Sequence, residues 1–442
     1  MFLRLSSFSE RLRASLFFVP MIFVVLAVVL AVVSLAIDAE ILENTTDLPF
    51  GLSSTVANAR EVLSTVAGAT ISFAGIAFSI SLLVVQQASS QYSPRVIKGM
   101  FRDPFNKRAM GIVVGTFTYC LVVLRSVRSP LEQDGSAVIP NLSVALAVVF
   151  GLVSILTIIA FISHSAHSMD VSKILEDVSN DARRQIKRLW RDPEEEHEAE
   201  EVDEPPQRTA VADEGLEVRL ARSGWIQQID LDRLAHAADP GGVVCAEIAV
   251  GRYAIPGAPL CSITPAPHDT DAAVTRAQGA VVLGDTRTVE QDVSYGIRQL
   301  ADVALKALSP GVNDPTTAQD ALFHIGGVLR ELLVRRPPPV RRSMPEGRFL
   351  ELAEGDTHEA LVRLAFDEIR IAAHGMPTVC IYLLEVLRLV EVSLSGLGEQ
   401  GAREALHRQA QLIREGAAHA GLLPHDRARI EDAYRQRYGD VE

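Results

Sequence analysis

Four charge-free stretches in the first 165 residues constrain this chain more than any other feature. Residues 14–37 run for 24 positions without Asp, Glu, Lys or Arg, residues 62–94 for 33, residues 109–124 for 16 and residues 135–163 for 29. A helix rises about 1.5 Å per residue and the bilayer's hydrocarbon core is about 30 Å thick, so about 20 apolar residues cross it. The first, second and fourth runs are long enough alone. The third needs Arg125 at its end, where a long stem can snorkel to the headgroups. A cleaved signal peptide behind Arg4, Arg11 and Arg13 is the alternative for the first run. Signal cores usually span about 7–15 residues, however, and three more spans follow here.

Orientation follows from Lys and Arg in the short flanks, which mark the cytoplasmic side. The N-terminus holds Arg4, Arg11 and Arg13; the second connection holds Arg95, Lys98, Arg102, Lys107 and Arg108; the stretch after the fourth span holds Lys173, Arg183, Arg184, Lys187, Arg188 and Arg191. The first connection has only Arg60 among Asp38, Glu40, Glu43, Asp47 and Glu61, and the third has Arg125 and Arg128. Both termini are therefore expected in the cytoplasm.

The net charge of −13 is concentrated in one segment. Residues 192–214 contain eleven acidic side chains and one Arg, a net −10, which leaves −3 for the rest. Such a segment buries too little apolar surface to offset its ordering entropy and reads as a linker, helped by Pro205 and Pro206. Nothing in this balance points to nucleic acid. Cys120, Cys245, Cys261 and Cys380 show no C-x-x-C spacing, so neither a disulfide framework nor a zinc site is expected.

Beyond the spans the periodicity changes twice. Val171, Ile174, Leu175 and Val178 form an apolar stripe on a charged helix that continues the fourth span. Short β-type runs follow at 216–220, 224–229, 242–250 and 260–263, with a helix at 230–238 and a further strand at 280–283. From about residue 288 the pattern is helical, with helices near 318–334, 349–374, 378–394, 403–418 and 425–438 and a stiff break at Pro337, Pro338 and Pro339. The expected architecture is a four-helix transmembrane domain (1–165), a cytoplasmic helical extension (166–191), the acidic linker (192–214), a small β-barrel or sandwich (215–286) and a helical domain (287–442). In fold class this is an α-helical membrane domain joined to a cytoplasmic α+β region.

Two constellations stand out. Ser64, Gly68, Ser72, Gly75 and Ser79 recur at intervals of 4, 4, 3 and 4, which places them on one face of the second span. A small, weakly polar face either packs closely against another helix or lines a water-filled path. No acid or base sits in the middle of any run, which argues against a charge-coupled transporter but not against a passive pore. Arg125 either meets lipid phosphates or contributes to a positive vestibule.

The second constellation is Ser309-Pro310-Gly311-Val312-Asn313-Asp314-Pro315, which reads as a joint between helices. Gly311 is expected to take a positive φ. Asp314 is placed to cap the next helix, with Pro315 at its first position. The joint is either structural or a ligand contact. His164, His167 and Asp170 have a spacing compatible with a metal, but interfacial polar residues explain them more simply. The charged helix with Asp367, Glu368, Arg370 and His374 reads as a solvated face. No Walker loop, nucleotide fingerprint, H-E-x-x-H or nucleophile elbow is present, so no familiar enzyme class, cofactor or metal is expected.

These motifs resemble the bacterial membrane-protein family known as domain of unknown function 2254. Its shared block matches Gly296 to Leu300 and Ala307 to Pro315, with Gln291-Asp292 upstream, and its second span leads into a segment like Gln91-Tyr92-Ser93-Pro94-Arg95, then Asp103 and Pro104. The resemblance covers nearly the whole chain. It implies an inner-membrane protein of this layout and brings no established activity. The functional expectation is a channel-like homo-oligomer in the lipid bilayer, gated by its cytoplasmic domain. The alternative is a membrane-anchored sensor or scaffold for a ligand or partner protein.

Overall fold

The computed structural model describes residues 18–44, 55–91, 93, 95, 103–127, 139–167, 170–192, 215–394 and 400–439. The chain divides into two compact units, the first formed by residues 1–90 and 94–173, the second by 91–93 and 174–442.

The first unit contains four long helices: α1 (Phe18–Asn44), α2 (Val56–Gln91), α3 (Pro104–Ser126) and α4 (Asn141–His167). All four are long and apolar enough to cross a membrane. α3 is the hub, packing against α1 and α4 and carrying the most buried surface of the four. Its position rests on two small residues one helical turn apart. A Cβ at Gly111 would come within 2.7 Å of the Phe23 ring, and one at Gly115 within 3.3 Å of the Phe23 carbonyl oxygen. Only a backbone without side chains admits α1 this closely, which is the small-x-x-x-small arrangement used where water supplies no driving force. On the outside, Val25, Leu26, Val32, Leu152, Leu156 and Ile159 are exposed, as helices facing lipid require.

From Ile174 onward the amphipathic helix α5 (Val171–Leu189) belongs to the second unit, and its apolar face is Ile174, Leu175, Ala182 and Ile186. Asp170 accepts from the Ser172 amide at 3.0 Å and so caps α5 separately from α4, which ends at His167. α5 is packed into the unit. Ala182 meets Gly296, where a Cβ would stand 2.8 Å away, Ser179 Oγ lies 2.9 Å from His324 Nδ1, and the Trp190 ring lies tilted against His358, with centroids 5.3 Å apart.

After α5 come β1 (Leu216–Arg219), β2 (Gly224–Ile229), α6 (Leu231–Ala235), β3 (Val243–Ala246), β4 (Tyr253–Ala254), β5 (Pro259–Thr264), α7 (Thr270–Gly279) and β6 (Val281–Gly284). Then follow α8 (Val293–Ala307), α9 (Pro315–Leu333), β7 (Arg341–Met344), β8 (Arg348–Glu351), α10 (His358–Ala373), α11 (Pro377–Ser393), α12 (Gln400–His419) and α13 (Pro424–Tyr438). The strands form a five-stranded sheet in the order β1-β5-β3-β8-β7 and a three-stranded sheet in the order β4-β2-β6. Both contribute to one core with Ile226, Leu234, Val244, Leu260, Ile263, Ala277 and Leu350.

Sequence reasoning located β1, β2, β3, β5 and β6 to within a few residues and missed β4, α7, β7 and β8. The hairpin β7–β8 lies in the stretch read as a proline break followed by a helix from residue 349; that helix starts at His358. β8 pairs in parallel with β3, about a hundred residues earlier, so the large sheet is completed from within the helical region.

Candidate functional site

The small-residue face of α2 lies on the outside of the first unit. α2 packs on its neighbours through Ala59, Leu63, Ala67, Thr70 and Ala77. Ser64, Gly68, Ser72, Gly75 and Ser79 fall about 150° further round and are all exposed. Nothing lies within 4 Å of a Cβ built at Gly68 or Gly75. Ser72 Oγ donates to the Gly68 carbonyl at 2.8 Å and Ser79 Oγ to the Gly75 carbonyl at 3.0 Å, so both hydroxyl protons are used within the helix. Arg125 occupies the last turn of α3 and is exposed; Arg60 donates instead to the neighbouring Val127 carbonyl at 3.0 Å and satisfies that helix end.

A polar cluster that the sequence reading missed joins three spans. Asp38 was counted there among the charges of the first connection, but it lies within α1 and is buried. It accepts from the backbone amides of Leu142 and Ser143, both at 2.9 Å, and from Ser143 Oγ at 2.6 Å. A residue of one span thereby caps the first turn of another, where free N–H groups and the helix dipole favour negative charge. Ser34 Oγ lies 3.0 Å from both Ser143 Oγ and Tyr119 OH, and Tyr119 OH donates to the Ser143 carbonyl at 3.2 Å. At the other end of these helices, Asp103 accepts from the Phe105 amide at 2.8 Å and meets His164 Nε2 at 2.5 Å. His167 Nδ1 bonds its own helix at the Ser163 carbonyl, and no metal-binding group of three or more His, Cys, Asp or Glu occurs among the described residues.

In the second unit the family block organises the start and end of α8. The Gln291 amide bonds the Ile229 backbone in both directions, accepting at 3.0 Å and donating at 3.4 Å. Asp292 is buried, caps α8 through the Tyr295 amide at 3.0 Å and is held by Arg287 in a two-pronged pair at 2.8 Å each. Gly251, at φ +82°, passes so close that a Cβ would come within 2.4 Å of Asp292 Oδ2. Gly296 admits α5, as described above, while Ile297 and Leu300 enter the core. Of the segment resembling the end of the family's second span, Tyr92 and Pro94 lie outside the described residues.

The joint between α8 and α9 differs from expectation at one residue. Gly311 has no positive φ and open space around it; Asn313 takes the left-handed conformation at φ +48°. Asn tolerates this region because its short polar side chain bonds locally. Asp314 accepts from the Thr316 and Thr317 amides, both at 3.1 Å, and from Thr317 Oγ1 at 2.7 Å, which holds its carboxyl below the usual carboxylate range. Pro315 stands at the first turn of α9. Ser309 Oγ donates to the Lys306 carbonyl at 2.6 Å, whereas Pro310, Gly311, Val312 and Asn313 form an exposed tip.

Comparison with known proteins places this architecture. An uncharacterized protein of Mycobacterium tuberculosis (strain H37Rv) is 30% identical over 382 residues, which is 85% of this chain and 71% of the relative. An uncharacterized protein of Mycobacterium bovis matches at the same identity and coverage. No solved structure matches the chain. The family model described as "Predicted membrane protein (DUF2254)" matches residues 13–389, and the chain belongs to that family.

Proposed function

We propose that this protein is a multi-pass protein of the bacterial inner membrane, with both termini cytoplasmic, that assembles into a channel-like homo-oligomer around α2 and is gated by its cytoplasmic unit. The observation that carries this reading is the uncovered face of Ser64, Gly68, Ser72, Gly75 and Ser79. Close packing inside the protomer uses Gly111 and Gly115 of α3 instead, so the α2 face is not needed for the protomer's own fold. Small residues either bring a second copy's backbone close or leave width for a path at the centre of a ring. The test is oxidative cross-linking of Ser72→Cys in membranes, in a background without the four native cysteines. Cross-linked dimers are expected; monomers throughout, with the same result at Gly68→Cys, would contradict assembly through this face.

A second reading, a membrane-anchored sensor or scaffold, draws on the exposed tip from Pro310 to Asn313. Its expectation is that the tip contacts a partner or ligand while the spans serve as an anchor. Loss of function on altering the tip, with assembly and conductance intact, would favour it.

A further inference from the structure

We infer that the second unit carries a binding site for a small organic carboxylate with an apolar body, in a cavity between α10, α11 and α12. The cavity has a volume of about 320 Å³, at the small end of the roughly 300–1,000 Å³ of ligand sites. Sequence reasoning assigned Arg370 and His374 to a solvated face, whereas both line this cavity. Its apolar part is Ile371, Leu412 and Ile413, with the Cys380 thiol beside them. Cys380 donates to the Ala373 carbonyl at 3.2 Å, and burial pushes its pKa up to about 11, so the sulfur stays uncharged.

Gly416 keeps one wall of this cavity open. It lies within α12, where Gly is less favourable than Ala because it gives up more chain entropy on folding. Nothing lies within 4 Å of a Cβ built there, so no neighbouring helix requires the glycine. Leu412, Gly416 and His419 are spaced four and three apart, which puts Gly416 on the helix face that lines the cavity.

The polar groups suit a carboxylate. Arg370 donates to Gln409 Oε1 at 3.3 Å and to Asp367 at 3.4 Å, and its Nη1 has no partner among the described residues. Asp367 is itself shared, accepting from Gln409 at 2.8 Å and facing Arg363 at 3.6 Å, so Arg370 can take a further acceptor. Glu415, next to Gly416, pairs with Arg408 at 3.9 Å, and no carboxylate lines the cavity among the described residues. His374 Nδ1 donates to the Ile371 carbonyl at 2.7 Å and His419 Nδ1 to the Glu415 carbonyl at 2.8 Å, which leaves Nε2 of each ring for a ligand. α11 begins at the same cavity. Met376 holds its cap position without a side-chain bond, so the first-turn amides favour negative charge there. α10 and α12 end there with the opposite dipole, which the two histidines offset by donating to carbonyls near those ends. One arginine among apolar walls matches a singly charged carboxylate; a doubly charged phosphate group would bring more charge than these groups offset.

This inference does not depend on assembly through α2. Full-length protein in phosphatidylcholine nanodiscs is titrated with naphthalene-2-carboxylate, whose fluorescence anisotropy reports binding, and naphthalene-2-methanol and acetate are added as competitors. The carboxylate is expected to bind saturably, and the neutral alcohol and the small acetate to compete at least tenfold more weakly. Gly416→Leu fills the cavity and is expected to weaken binding at least tenfold while leaving Tm unchanged or higher. Gly416→Ala carries the same comparison, with a smaller loss of affinity, should the Leu variant lose stability. Arg370→Gln is expected to weaken the carboxylate at least tenfold and the alcohol little. No saturable binding beyond empty nanodiscs, or wild-type affinity in both Gly416 variants, would overturn the site. Equal competition by the alcohol, or unchanged affinity in Arg370→Gln, would overturn the assignment to a carboxylate.

Discussion

At the scale of single residues, the side chain with the largest structural demand in the membrane unit is Asp38. It satisfies two backbone amides and one hydroxyl of α4 in a buried setting. Removing a partner leaves each buried donor unsatisfied at about 1–3 kcal/mol. Asp38→Ala should therefore lower the thermal stability of the detergent-solubilised protein by about 3 kcal/mol or more, and Asp38→Asn, which keeps one acceptor oxygen, by less. An unchanged Tm for Asp38→Ala would show that the cap does not hold α1 to α4. Part of this was legible: Ser34 and Asp38 are four apart and share a helix face, so a carboxylate just past an uncharged run had a polar neighbour in register. Its partner on α4 was not legible, because a contact across about a hundred residues leaves no local trace. His324 supplies a pH-dependent counterpart in the second unit. Burial, and then the charge of Arg183, lower its pKa below the ordinary value of about 6.5. The folded state thus binds fewer protons than the unfolded one between those two values. This contribution to stability is complete above about pH 6.5 and is lost as pH falls towards the folded pKa. Unfolding measured from pH 7.5 down to 5 should show that loss, and His324→Gln should flatten it.

At the scale of elements, the contrast between α2 and α3 separates packing within the protomer from packing outside it. Gly111→Leu would drive a side chain into Phe23 and should destabilise the protomer, whereas Gly68→Leu and Gly75→Leu meet open space and should leave its stability nearly unchanged. Thermal unfolding of the three variants in detergent checks this. Equal losses in all three would mean that the α2 face is covered. The four spans were readable from composition because lipid leaves a backbone few alternatives to a helix. The face on which each span packs was not, since small residues on α2 and on α3 carry the same local signal and only the neighbouring helix distinguishes them. The hairpin β7–β8 was missed for a similar reason. Arg341 to Met344 carries little apolar alternation of its own, and its strand character comes from pairing with β8, itself fixed by β3. In the joint before α9, Asp314 and Pro315 were read correctly as cap and first turn because capping is local. The positive φ was assigned to Gly311 on residue type, whereas the turn geometry puts it at Asn313.

At the scale of the whole molecule, a four-span unit is joined to a larger α+β unit that has its own core. That division is what an assembly with a membrane path and a separate controlling element requires, and it fits an anchored sensor equally well. The two accounts differ in whether anything crosses the membrane along the α2 face. The most direct measurement is conductance of the purified full-length protein in a planar bilayer, with Ser72→Cys in a background without native cysteines as the reporter. The account predicts discrete conductance under voltage, tension or an osmotic gradient, reduced when a water-soluble thiol reagent modifies residue 72. Absence of conductance at saturating incorporation under all three stimuli would contradict it and leave the spans as an anchor.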